Sequence, residues 1–186
     1  MEKIWKTVSS KKVYQNRYFS VEEDDCIRPD GSPGKYYVMH RRHGVVAVPY
    51  DGRHLYLVNQ YRYPCKRRLW EFPAGSAETE DYLSEAKKEL REETGITAGQ
   101  WTSLGEFFSG PGFSDHRGRV FLAEDIKSGE HAREEGESDI VVRKFTSEQV
   151  EKMIASGEIL DSWTITSYLF FQQKIEKKSE ARNPKS

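Results

Sequence analysis

The stretch from Tyr82 to Ile96, YLSEAKKELREETGI with Asp81 ahead of it, constrains this chain more than any other. At about 100° per residue it reads as one amphipathic helix, closed by Gly95 in the left-handed region. Leu83, Ala86 and Leu90 form the stripe that faces a core. Glu85, Glu89, Glu92 and Glu93 fall within a neighbouring arc of roughly 100°, with Lys87 and Arg91 on the far side. Like charges one turn apart cost about 0.2–0.5 kcal/mol per pair. Pairing of Lys88 with Glu92 leaves most of that crowding in place. A bound divalent cation would remove it; a solvated acidic helix face is the plain alternative.

The rest of the chain reads as β-structure before and after this helix, with more helix at the end. Lys12–Tyr14 and Phe19–Glu23 are short strand candidates. The turn-rich run from Arg28 to Gly34 joins Val21–Ile27 to Lys35–His40 as a hairpin with a longer loop. Residues 1–42 are too few to bury a core of their own. Val45-Val46-Ala47-Val48 suits a strand buried on both faces. Asp51-Gly52 is a hairpin-type turn signal, and the chain returns as an alternating strand over His54–Gln60. Trp70 to Gly75 leads through Pro73 into the acidic helix. Strands are predicted over Thr102–Phe108, Arg119–Ala123 and Ile140–Phe145, and a loop over Ser109–Asp115. Lys127–Gly136 is polar and reads as a mobile loop. Ser147 is the expected cap of a helix that turns Val150, Met153 and Ile154 to one side. A last helix is expected over Asp161–Gln173, followed by a disordered, charged tail from 177 to 186.

The chain has 186 residues, enough for one domain with a small appendage. Its charges balance to −1, so no basic excess points to nucleic acid. No apolar run approaches the length of a membrane span, and the opening MEKIWKTVSSKK lacks the apolar centre of a signal peptide. Cys26 and Cys65 have no metal-ligand spacing and read as reduced thiols of a cytoplasmic protein.

From Gly75 onward, G-SAET-E-DYLSEAK-KELREETGI resembles the Nudix box through Glu80, Glu89, Leu90, Glu92, Glu93, Gly95 and Ile96. Two departures stand out. Four residues separate Gly75 from Glu80 where the family has five, and Lys88 stands where the family has Arg. QYRYP before the box, WEFPAG leading into it and SGPGFSD after it resemble the branch that hydrolyses ADP-ribose and other nucleoside diphosphate sugars. The resemblance implies an α/β Nudix fold, a mixed β-sheet core sandwiched between α-helices. The core would span 43–176, and the N-terminal β section would help form a homodimer.

It also implies site residues. Glu89 and Glu93 would be the principal Mg²⁺ ligands, with Mn²⁺ an alternative ion, and Glu92 would share a second ion and take part in catalysis. The backbone carbonyl of Ala74 would complete the first site. Lys88 would orient a box carboxylate through one point contact, where Arg offers a planar fork. For Glu80 and Glu85 the alternative to a part in the site is an exposed helix charge or a partner of the helix N-terminal dipole. The general base would come from the acidic loop Glu130–Asp139, with Glu137 favoured and a solvated loop the alternative. Arg62 would contact the substrate phosphates. Arg42 is a further substrate candidate, with a solvated Arg41–Arg42 pair as the alternative. Trp5, Tyr14, Tyr18 and Phe19 offer faces for a base, Tyr18 among them as a substrate contact. His116 stands where the family has Glu, and its imidazole is either exposed or turned to substrate. The implied activity is Mg²⁺-dependent cleavage of a nucleoside diphosphate sugar such as ADP-ribose. Cleavage of GDP-mannose or a dinucleoside polyphosphate, or a non-catalytic nucleotide-binding regulator, are the alternatives.

Overall fold

The structure, a computed structural model, describes residues 4–129 and 139–182, with side chains through Lys178. It divides into two compact units. The first holds Met1–His43 and Phe108–Arg117; the second holds Gly44–Phe107 and Gly118–Ser186.

In the first unit, strands β1 (Lys6–Gln15), β2 (Phe19–Ile27) and β3 (Pro33–Arg41) form an antiparallel sheet in that order. Asn16 turns the chain between β1 and β2, its side-chain oxygen accepting from the amides of Tyr18 and Phe19. Gly31, at φ +88°, supplies the left-handed residue of the β2–β3 loop. Three strands this short cannot close a core. The free edge of β3 therefore takes up the 108–117 segment. The Met39 amide donates to the Phe113 carbonyl (2.8 Å), Ser114 Oγ donates to the Met39 carbonyl (2.7 Å), and Tyr36 Oη donates to the Gly112 carbonyl (2.6 Å). The unit thus recruits a segment from far along the chain, beyond the expected 1–42 section.

The second unit is built on β4 (Gly44–Pro49), every residue of which is buried. β4 pairs parallel with β9 (Arg117–Ser128) and antiparallel with β7 (Ala74–Ser76). Together with β8 (Ile96–Phe108) they form a mixed sheet of order β7-β4-β9-β8. Side chains alternate across it with period 2. Val46, Val48, Val120 and Leu122 point into a core shared with Leu55, Leu57 and Phe72 and with the last two helices, α2 (Ser147–Ala155) and α3 (Ser162–Arg182). Val45, Ala47, Phe121 and Ala123 face the other way, under α1 (Tyr82–Thr94), where Ala86 and Leu90 meet them. The sheet is therefore clamped between helices, as the resemblance implied. A second antiparallel sheet, in the order β10-β5-β6, comprises β10 (Val141–Thr146), β5 (His54–Arg62) and β6 (Arg67–Glu71).

Three local expectations need correction. The Asp51-Gly52 turn forms, with Gly52 at φ +92°, but β4 and β5 share only the Tyr50–Leu55 bridge and then enter different sheets. β4, covered on both faces by the helices, sits inside the mixed sheet between β7 and β9, while the alternating β5 pairs with β6 and β10. The cap of α2 is Thr146, not Ser147. Its side chain accepts from the Gln149 amide while Gln149 returns to the Thr146 amide in a capping box. Finally, α3 continues to Arg182, past the expected start of the tail at 177. Glu, Lys and Ala are good helix formers, and Lys178 reaches back to Glu124 at 2.8 Å.

Candidate active site

The acidic helix forms where the sequence places it. Asp81 caps α1 by accepting from the Ser84 amide at 3.1 Å, and Gly95, at φ 71°, ends it with its amide donating to the Arg91 carbonyl. With Ala86 and Leu90 fixed in the core, the carboxylates at 89 and 93 are turned toward β7. Glu89 lies so close to Gly75 that a Cβ built there would be 1.9 Å from Glu89 Oε1. Glu93, buried at 2% exposure, accepts from the Ala74 amide at 3.3 Å. It is the Ala74 amide, rather than its carbonyl, that touches a box carboxylate. β7 is itself held in register by β4, with Ala74 opposite Val46 and Gly75 opposite Val45. Glu92 is half-buried, 3.9 Å from Lys88. That separation lies at the long end of an ion pair across one helical turn.

Glu85 departs from the expected exposed charge. It is buried, and its Oε1 accepts from both the Thr79 amide (3.0 Å) and Thr79 Oγ1 (2.9 Å). This clasp folds the shortened Gly75–Glu80 loop onto the first turn of α1. Glu80 remains exposed.

Arg62 stands at the end of β5 opposite Arg67, and its guanidinium grips the buried Glu71 through Nε (2.9 Å) and Nη2. Burial pushes the Glu71 carboxyl up while the Arg62 charge pulls against it; Glu71 in turn holds Arg62 charged. Glu93 and Asp161 also act on Arg62. With Nε and Nη2 on Glu71, Nη1 is the corner of the guanidinium left for an anion. Glu71 was invisible as a site residue in the sequence, although a glutamate inside the otherwise apolar Trp70–Phe72 run was the available sign.

Tyr18 and Arg42 belong to the first unit, and both are exposed. One face of the Tyr18 ring is covered by Arg17, whose guanidinium carbon lies 4.5 Å from its centroid. Tyr14 packs on Phe19, and Trp5 meets Tyr36 edge-on. A different aromatic set lines a cavity of about 380 Å³: Tyr36, Val38, Phe108, Pro111, Phe113, Ser114 and Asp115. No spacing rule could find it, because its walls come from β3 and from the distant 108–117 segment. His116 is not exposed, as one reading had it. It is 4% accessible, with Nδ1 2.8 Å from Ser109 Oγ and its ring stacked 6.4 Å from His43. Burial, with the Arg41 and His43 charges, lowers its pKa to about 4. Glu137, the expected base, lies outside the described residues. At the described end of that segment, Asp139 pairs with Arg68 at 2.8 Å.

Among the described residues, no three His, Cys, Asp or Glu side chains converge into a finished metal cage. The donor chemistry nevertheless fits a hard cation. Two carboxylates one helical turn apart approach the same Ala74–Gly75 segment, and oxygen ligands are what Mg²⁺ takes. Like-charged carboxylates separate unless a cation draws them together.

A mixed sheet clamped between helices, with an acidic helix seated on a Pro-Ala-Gly strand, defines the Nudix class of α/β proteins. Residues 40–162 match the family model for the NUDIX domain, and residues 5–39 match that for the nucleoside diphosphate sugar hydrolase N-terminal domain. The chain belongs to the Nudix hydrolase family. It is 33% identical to an ADP-ribose pyrophosphatase of Bacillus subtilis strain 168 over 173 residues, covering 91% of this chain and 93% of that one. It is 31% identical to an ADP-ribose pyrophosphatase of Mycobacterium tuberculosis H37Rv, over 90% of this chain and 83% of the relative. The fold matches the crystal structure of an ADP compounds hydrolase with a TM-score of 0.84 at 18% identity, covering 94% of this chain and 96% of that one.

Proposed function

We propose that this protein is a Mg²⁺-dependent pyrophosphohydrolase of nucleoside diphosphate sugars, with ADP-ribose the leading substrate. The observation that carries the reading is the approach of Glu89 and Glu93 to the Ala74–Gly75 strand. The likeness to two ADP-ribose pyrophosphatases supports the choice of substrate.

The divalent ions, when bound, neutralise the diphosphate oxygens and lower the pKa of the attacking water. Glu89, Glu93 and the Ala74 carbonyl would hold the first ion, and Glu92 would share a second; Mn²⁺ is the alternative metal. Arg62, anchored on Glu71, offers Nη1 to a phosphate oxygen. Glu137 accepts the proton of the water that attacks phosphorus. The P–O bond to the other phosphate breaks, and two phosphomonoesters leave, a nucleoside monophosphate and a sugar phosphate. Tyr18 and Arg42 are further substrate contacts. We also infer a homodimer, because β1 is exposed along its whole length. A cytoplasmic setting suits the two unpaired cysteines, Cys26 and Cys65.

The test is incubation of the pure protein with Mg²⁺ and ADP-ribose, ADP-glucose, GDP-mannose or a dinucleoside polyphosphate, followed by assay of the phosphomonoesters released. ADP-ribose giving AMP and ribose 5-phosphate with the highest kcat/KM is the expected outcome. Faster cleavage of another member would reassign the substrate. Binding without cleavage of any would mark a nucleotide-binding regulator.

A further inference from the structure

The first turn of α3 lies outside the Nudix box and carries none of the site residues named above, yet it is tied to the strand under the acidic helix. Asp161 accepts from the Thr164 amide at 2.7 Å and from Thr164 Oγ1 at 2.8 Å. Thr164 Oγ1 accepts in turn from the Phe72 amide at 3.0 Å, across 92 positions of sequence. The hydroxyl has a single proton and gives it to Asp161, so a lone pair is aimed at Phe72. Both Thr164 and Phe72 are 1% exposed, so the bond between them is buried. Beside them, the Trp163 ring fills the space over two glycines. A Cβ at Gly44 would lie 2.4 Å from it, and one at Gly118 would lie 3.0 Å away.

Phe72 is the residue between the two halves of the site. Glu71, on one side, holds Arg62. Ala74 and Gly75, on the other, meet Glu93 and Glu89. Pro73 adds one further pin, its carbonyl accepting from the Ala47 amide at 2.9 Å. Asp161 also acts electrostatically on Arg62 and on Glu71. We propose that Thr164, oriented by Asp161, is a positioning residue. It fixes the Phe72 peptide and thereby sets both the metal-facing strand at Ala74–Gly75 and the Glu71–Arg62 pair. This rests on the reading of Glu89 and Glu93 as metal ligands. The bond from Thr164 acts through backbone geometry, without contact to metal or substrate.

Groups that orient metal ligands from behind typically alter metal affinity by about 10–100-fold when removed. The experiment is calorimetric titration of the substrate-free protein with Mn²⁺, for wild type, Thr164→Val and Thr164→Ser. Thr164→Val keeps the shape and deletes the hydroxyl; it is expected to weaken Mn²⁺ binding about tenfold or more, and Thr164→Ser to restore it. Asp161→Asn serves as the second variant if Thr164→Val does not fold, and is expected to weaken binding by about threefold or more, at the low end of the same range. A variant that melts lower yet binds Mn²⁺ within about twofold of wild type would reduce Thr164 to a structural contact and overturn the proposal. Wild-type protein that binds no Mn²⁺ would instead overturn the metal-site reading, and this inference with it.

Discussion

Gly75 matters for what it lacks. A methyl group there would occupy the place of the Glu89 carboxylate, 1.9 Å from Oε1. The carboxylate is the free end of a side chain, so Gly75→Ala displaces Glu89 rather than the strand. We expect kcat to fall by about 10²-fold, the scale of a misplacement of about 1 Å, with little change in Tm. Activity assays beside thermal melts check this. His116 makes a prediction of a different kind. In the unfolded chain it takes up a proton near its ordinary value of about 6.5; in the fold it does so only near 4. Between those values the unfolded state binds more protons, so stability falls as pH drops from about 6.5 toward 4 and is fully present above that window. Urea unfolding of wild type and His116→Asn across this range should show a shallower pH dependence in the variant.

At the scale of elements, α1 was legible from Tyr82 to its stop at Gly95, because its apolar stripe and glycine stop are local signals; that Asp81 caps it emerges only in the structure. The clasp at its start was not legible, since a glutamate on an acidic face gives no sign of burial. Glu85→Ala removes the shared acceptor of the Thr79 amide and hydroxyl. It should cost about 2 kcal/mol, in the range for hydrogen bonds to a charged group, and Glu85→Gln less, as read by chemical denaturation. The Asp51-Gly52 turn teaches a similar lesson. Its turn chemistry was read correctly, but which sheet each strand joins depends on β9, β6 and β10, far along the chain. The same distance hid the 108–117 segment as the partner of β3, whereas Glu71, only nine positions from Arg62, was hidden because the sequence gives no sign of the β5–β6 register that brings the two together.

At the scale of the molecule, the fold class was legible through the resemblance of the box and its flanking segments to the Nudix family, and the mixed sheet with helices on its two faces agrees with it. That Glu89 and Glu93 turn the same way was legible with it, from their spacing of one helical turn. The aromatic-lined cavity of the first unit was not, because aromatic residues in sequence do not reveal which of them gather. β1 leaves Val8 66% exposed and Val13 47% exposed on a three-stranded sheet, a surface suited to a second copy of the chain. Sedimentation at micromolar concentration should give the mass of a dimer, and Val8→Glu should shift it toward monomer; a wild-type monomer would contradict the dimer. The central claim is that the acidic face of α1 is a catalytic metal site. Its most direct test is the turnover of ADP-ribose by Glu93→Gln under saturating Mg²⁺. This substitution keeps an acceptor for the Ala74 amide and removes the charge. The account predicts a folded protein with turnover abolished; an unchanged kcat would contradict it.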